Sequence, residues 1–210
     1  MLQSENLSYS YDKRIQLRFP NIQCARGEQC LLIGQSGSGK TTLLHLLAGL
    51  RRPRSGSIYI NEQDITEFSP AQLDYFRGKH IGIIFQQAHF VRALDVAENL
   101  ALAQRLSGGT EDYPAIVNLL EQLNLGHKLK ANTNELSVGE QQRVAIARAL
   151  INQPSVIFAD EPTSALDDKN TEQVIELLKQ QASKANASLL IVTHDNRLKS
   201  VFEKTVELVD

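Results

Sequence analysis

The segment Gly34-Gln35-Ser36-Gly37-Ser38-Gly39-Lys40-Thr41 has the form G-x-x-x-x-G-K-[ST], a spacing suited to holding phosphate groups. Its glycines let the backbone curl so that N–H groups point inward, and a helix starting at Lys40 would add partial positive charge from its N-terminus. Lys40 can neutralise β- and γ-phosphate oxygens, the Thr41 hydroxyl can reach a Mg²⁺ ion, and Thr42 follows within reach of the same nucleotide. A second candidate is Val156-Ile157-Phe158-Ala159-Asp160-Glu161, an apolar run ending in two carboxylates. Asp160 suits Mg²⁺ held partly through water, and Glu161 can act as general base on an attacking water. A third is His194, which follows Leu189-Leu190-Ile191-Val192-Thr193; its neutral imidazole could donate to a γ-phosphate. By themselves an Asp-Glu pair and a lone histidine are commonly a solvated turn and a packing residue. Placed at the ends of three buried strands together with Gly34, they converge on one sheet edge.

These residues need parallel strands to bring them together. Cys30–Ile33, Ile81–Phe85, Val156–Ala159 and Leu189–Val192 read as short buried strands. Helical patterns run over Lys40–Leu50, from Asp95 as cap to Leu106, and over Tyr113–Leu123, Gly139–Asn152 and Lys169–Ala185. Residues 2–8, 14–23 and 56–60 suggest β structure near the N-terminal side, while 71–134 are mainly helical. The expected fold class is α/β, with a mainly parallel sheet, an antiparallel β region and a helical insertion. A length of 210 residues fits one domain, residues 1–210, with a helical subdomain over about 71–150.

Composition narrows the class further. Hydrophobic residues at 42% and charged residues at 22% describe an ordinary soluble chain. The formal net charge of -2 argues against a large footprint on nucleic acid, so no nucleic-acid partner is expected. No apolar run approaches the roughly 20 residues of a membrane-spanning helix, and MLQSENLSYS does not read as a signal peptide. Cys24 and Cys30 lack paired ligands in the sequence and read as reduced, buried thiols of a cytosolic protein; His45, His80, His89 and His127 share no metal spacing. Arg51-Arg52-Pro53-Arg54 reads as a solvated basic loop.

Nucleotide-binding loops occur in kinases, GTPases, helicases and transport ATPases. Leu136-Ser137-Val138-Gly139-Glu140-Gln141-Gln142-Arg143 followed by Val144-Ala145-Ile146-Ala147-Arg148-Ala149-Leu150 separates them. This stretch resembles the signature of ATP-binding cassette (ABC) ATPases, and the similarity runs nearly end to end. Gln86 is similar to that family's Q-loop glutamine, Ser164-Ala165-Leu166-Asp167 to its D-loop, and His194 to its switch histidine. Tyr11 resembles the aromatic residue that stacks on adenine, with Tyr9 the alternative.

The resemblance implies a P-loop NTPase core and ATP hydrolysis with Mg²⁺, Thr41, Gln86 and Asp160 serving the ion. It implies a head-to-tail homodimer formed on ATP binding, in which Ser137, Val138, Gly139 and Glu140 of one copy face the nucleotide of the other. It also implies separate transmembrane permease subunits and a peripheral place on the cytoplasmic face of the (inner) membrane. Ala88, Phe90, Val91 and Leu94 could line a groove for a short helix of that partner. The pattern is most similar to the lipoprotein-release and macrolide-efflux branch. The signature departs from Leu-Ser-Gly-Gly-Gln at Val138 and Glu140; Val138 fits where its φ is negative and its side chain points off the ATP. Other readings are a soluble ABC-type ATPase acting on DNA or ribosomes, and a weakly hydrolysing regulatory cassette.

Overall fold

The computed structural model describes residues 1–11, 16–164 and 168–208. Its N-terminal part contains β1 (Leu2–Ser10), β2 (Gln16–Arg18), β3 (Gln23–Cys24), β4 (Gln29–Gly34), α1 (Lys40–Leu47), β5 (Ser55–Ile60) and β6 (Gln63–Asp64). Next come α2 (Pro70–His80), β7 (Ile81–Ile84), α3 (Val96–Leu106), α4 (Tyr113–Gln122) and α5 (Val138–Leu150). β8 (Val156–Asp160), α6 (Asp168–Lys184), β9 (Ser188–Thr193) and β10 (Lys204–Leu208) follow, with short 3-10 turns between some elements.

Two sheets result. One is antiparallel, with the order β2-β1-β5-β6 and β3 also paired to β1. The other runs β10-β4-β9-β8-β7, and every pairing in it is parallel. The four apolar runs read as strands all lie in this second sheet. Their side chains alternate between its two faces with the period of a strand. Leu32, Phe158, Leu190 and Val192 face α1 and the antiparallel sheet. Leu31, Ile33, Ile157, Ala159, Leu189 and Ile191 face α6 and part of α5. A strand apolar on both faces cannot sit at a solvated surface, so the sheet is sandwiched between those layers.

A third apolar cluster joins α3, α4 and α5 through Val96, Leu100, Ile116, Leu120 and Val144. α5 packs on both sides of that division: Ile146 and Leu150 belong to the sheet cluster, Val144 and Ala147 to the helical one. Gly82 on β7 lets α5 come close, because a Cβ there would stand 2.5 Å from the Ala149 carbonyl oxygen.

Local signals explain the helix ends. Ser69 with Gln72 and Asp95 with Glu98 form capping boxes at the starts of α2 and α3. α1 stops at Leu47, short of the expected Leu50, because Ala48 caps it and Gly49 turns away at φ 65. β10 had no counterpart among the expected strands. Cys24 and Cys30 are free and buried, their sulfurs 2.8 Å apart. The Glu28 carboxylate lies in the same group within 4.8 Å, a neighbour that sequence spacing did not suggest, but it is paired with Lys204 Nζ at 3.0 Å.

Candidate active site

β4 ends at Gly34 and α1 begins at Lys40, so the phosphate-loop sequence forms the turn between a strand and a helix N-terminus. Gly39 is the helix N-cap at φ 90, ψ 12, a left-handed conformation that a side chain would strain. Lys40 is buried and its Nζ donates to the carbonyls of Gly34 at 2.9 Å and Gln35 at 2.7 Å. The ammonium therefore lies over its own loop, where phosphate oxygens can exchange with those carbonyls.

The sheet register brings the other candidates level with this loop. Ile33 pairs with Thr193, and Val192 with Asp160, so β4, β9 and β8 finish together. Thr41 Oγ1 donates to Asp160 Oδ1 at 3.3 Å. Asp160 is buried, which pushes its carboxyl pKa up, while the Thr41 hydrogen bond and the charges of His45 and Lys40 act against that rise. Thr41 and Asp160 are in contact and Gln86 lines the same cleft as Thr41; their hydroxyl, carboxylate and amide oxygens are donors of the kind a hard cation such as Mg²⁺ takes. A buried carboxylate in want of positive charge fits such an ion.

A raised carboxyl pKa means that the neutral form is favoured by folding, so this group's contribution to stability is present at low pH and lost as pH rises through the folded value. Asp160→Asn is accordingly expected to abolish hydrolysis while stabilising the ligand-free protein by about 1 kcal/mol at neutral pH, a Tm rise of about 2–4 °C. A thermal melt without nucleotide checks it, and the gain should shrink toward acid pH.

Glu161 leaves the strand at φ 47, an uncommon conformation for a residue with a side chain, while its N–H donates to the Val192 carbonyl at 2.8 Å. That turn aims its carboxylate back between two neighbours on the end of β9. Thr193 Oγ1 donates to Oε2 at 2.9 Å, and His194 Nδ1 lies 2.7 Å from Oε1. The Asp195 N–H in turn donates to Thr193 Oγ1 at 3.1 Å. A neutral His194 that donates from Nδ1 has only an acceptor at Nε2. Donation to a γ-phosphate thus requires the ring either to release Glu161 or to carry a second proton.

Gln86 Nε2 donates to Ser164 Oγ at 3.2 Å. Tyr11 is exposed, and its hydroxyl makes a 2.6 Å hydrogen bond with Thr42 Oγ1. An open cleft of about 540 Å³ is lined by Tyr11, Leu17, Ser36, Gly37, Gly39, Lys40, Thr41, Thr42, Gln86, Glu161 and His194. Gly34, Gln35 and Ser36 also border an adjoining cavity with His194. Ser38 Oγ is buried with no hydrogen-bond partner among the described residues. Ala165, Leu166 and Asp167 lie outside the described residues.

Ser137, Val138, Gly139 and Glu140 are not among the residues lining this cleft. Ser137 caps α5; its Oγ accepts from the Glu140 N–H at 3.3 Å and donates to Glu140 Oε2 at 2.9 Å. The Ser137 N–H and hydroxyl and then Lys128, 3.2 Å from Oε1, hold the Glu140 carboxyl down at about 2. Val138 is the first residue of α5, absent from the described positive-φ residues, and its side chain is exposed. The departure from glycine therefore carries no backbone strain. Two contacts were not legible in the sequence: Thr193 as a support for Glu161, and Ser164 as the partner of Gln86. The first had a weak signal, since Thr193 immediately precedes His194.

Residues 17–164 match the sequence family described as ABC transporter. The chain belongs to the ABC transporter family. It is 41% identical over 192 residues to the "Lipoprotein-releasing system ATP-binding protein LolD" of Geobacter metallireducens, covering 90% of this chain and 85% of that protein. The protein of the same name from Buchnera aphidicola subsp. Schizaphis graminum is 40% identical over 203 residues, covering 94% of this chain and 89% of that one. Among solved structures, the "Dimeric structure of a post-hydrolysis state of the ATP-binding cassette MJ0796 bound to ADP and Pi" superposes with TM-score 0.88 at 31% identity, over 99% of this chain and 94% of the other. The ABC chain thus has the P-loop NTPase type of α/β fold that its sequence led one to expect, and it is an ABC-type ATP hydrolase of the transport-coupled kind.

Proposed function

We propose that this ABC ATPase hydrolyses Mg-ATP as one half of a head-to-tail dimer and drives separate transmembrane subunits from the cytoplasmic face of a membrane. The observation that carries this reading is the division of the site. Ser36, Gly37, Gly39, Lys40 and Thr41 of the phosphate loop line one cleft with Gln86, Glu161 and His194, and Asp160 is bonded to Thr41, while the signature residues do not line it. Gly139 adds to it: a Cβ there would meet nothing nearer than Arg143 Nη1 at 3.7 Å, so packing within this chain does not demand glycine. A nucleotide brought by a second copy does, because it needs close approach to the N-terminus of α5. The solved cassette to which the chain is similar is described as dimeric and bound to ADP and Pi.

Within one such site, the phosphate-loop N–H groups and Lys40 bind the triphosphate, and Tyr11 stacks on the base. Thr41, Asp160 and Gln86 are the residues that would hold Mg²⁺, which when bound would supply positive charge to the phosphate oxygens. Glu161, oriented by Thr193, accepts the proton of the attacking water. His194 holds Glu161 in the nucleotide-free arrangement and turns toward the γ-phosphate when it is present. Ser164, the first residue of the segment similar to the family's D-loop, is bonded to Gln86. Loss of the γ-phosphate removes the bridge between them and favours opening.

Residues 1–210 act as one nucleotide-binding domain, with about 71–150 as the subdomain that carries the signature. No helix among the described residues is long and apolar enough to cross a membrane. The membrane partner is met through the segment after Gln86, where Val91 is exposed and the Arg148 guanidinium, on α5, lies over Phe90 at 5.1 Å. That contact ties the partner surface to the signature helix. The relatives named for lipoprotein release make that branch the one to test first.

Mixing two inactive variants tests the shared site. Ser137→Ala and Glu161→Gln each damage both sites of their own dimer, but a mixed dimer retains one intact site. Turnover that appears only on mixing is the expected result. Absence of any recovery, with both variants still binding ATP, contradicts the head-to-tail arrangement.

A further inference from the structure

Arg51 belongs to the basic turn that the sequence suggested was merely solvated, yet its side chain is engaged. Nη1 donates to the Tyr9 hydroxyl at 2.7 Å. Its guanidinium carbon stands over two rings, 5.6 Å from the centroid of Tyr9 and 5.2 Å from that of Tyr11. Those rings meet edge to face at 4.9 Å and 86°. The turn is anchored at both ends: the Arg51 N–H donates to the His45 carbonyl at 3.1 Å, and the Arg54 N–H to the Ser8 carbonyl at 2.8 Å. Tyr11 is thus held from two directions, by Thr42 at its hydroxyl and by Arg51 and Tyr9 at its ring.

We propose that Arg51 is a positioning residue for nucleotide-base recognition, its guanidinium clamping Tyr11 in the orientation that stacks on the base. The proposal rests on Tyr11 being the base-stacking residue. An exposed aromatic side chain at the end of a strand otherwise samples several rotamers, and ordering it on binding costs affinity. Tyr11 is 58% exposed and borders the phosphate cleft, so the surface left by Arg51, Tyr9 and Thr42 is available to a planar ligand. A cation over an aromatic face is held electrostatically by the ring, and Arg in that place keeps its planar group stacked while bonding to Tyr9. Among the described residues the Arg51 side chain is engaged by Tyr9 and Tyr11, which places its action at the base end of the site.

The test is steady-state hydrolysis by full-length protein with ATP, combined with inhibition by inorganic tripolyphosphate, which has no base. Arg51→Ala is expected to raise the KM for ATP about threefold to tenfold with kcat changed less than twofold, and to leave inhibition by Mg-tripolyphosphate unaltered. Arg51→Lys, which keeps a cation near the rings but loses the planar group stacked on them, should recover only part of the loss. In a Tyr11→Ala background, Arg51→Ala should add nothing further. A weakened tripolyphosphate response would show that Arg51 acts as general positive charge on the phosphates, and an additive loss in the Tyr11→Ala background would show that it acts elsewhere; either overturns the proposal. An unchanged KM for Arg51→Ala beside a raised KM for Tyr11→Ala overturns it while sparing the stacking role of Tyr11. An unchanged KM for Tyr11→Ala removes the stacking reading and the clamp together.

Discussion

Glu161→Gln is expected to bind Mg-ATP as the wild type does and to hydrolyse it about 10²–10⁴-fold more slowly, a barrier increase of roughly 3–5 kcal/mol. The substitution is nearly isosteric. Its amide oxygen can still accept from Thr193 Oγ1, and its NH₂ group can face His194 Nδ1 once that ring takes the other tautomer. The residue keeps its place at φ 47 on the end of β8. What disappears is basicity, because an amide cannot take a proton from water at neutral pH. With the γ-phosphate retained, the bridge between two copies should persist. Light scattering after gel filtration should therefore show dimers with Mg-ATP and monomers without it. Hydrolysis at the wild-type rate would show that another group accepts the proton.

Lys40→Ala is expected to weaken ATP binding about 10- to 100-fold through loss of charge-assisted hydrogen bonds. In the ligand-free arrangement Lys40 Nζ is satisfied by the carbonyls of Gly34 and Gln35, so the ammonium is stored at the loop and needs no long movement to meet phosphate. Alanine leaves those carbonyls beside an open cavity, which limits the effect on folding. Because the missing charge served phosphates, affinity for Mg-tripolyphosphate should fall in parallel with that for ATP. Titration of both ligands checks this; ATP affinity equal to wild type would remove Lys40 from the binding role. The contrast with Arg51 is one of place, since the lysine serves the phosphate end of the cleft and the arginine the base end.

Much of this site was legible before any fold was known. Gly39 is confined to a left-handed conformation, Lys40 opens a helix, and two carboxylates end an apolar run, and each of these depends on residues adjacent in the chain. The central strands were equally legible, because a strand apolar on both faces leaves an uninterrupted run such as Leu189-Leu190-Ile191-Val192. β10 has no such run: Lys204, Thr205 and Glu207 interrupt it, as suits a strand at the sheet edge, and only its pairing with β4 defines it.

Capping residues likewise act over three positions, so Asp95 announced the start of α3 in the sequence, and the structure added Glu98 as the other half of the capping box. Tertiary structure alone decided which ends meet. The order β4-β9-β8 places Glu161 against Thr193 and His194, more than thirty residues away, and Thr41 against Asp160, more than a hundred away. It also converted a basic turn into a clamp on Tyr11 and gave Gln86 its partner in Ser164. Local sequence sets the dihedral preferences, the caps and the faces to be buried. Hydrogen bonds and ring contacts between distant residues depend instead on which layers those faces bury against, and that is settled by packing the whole chain.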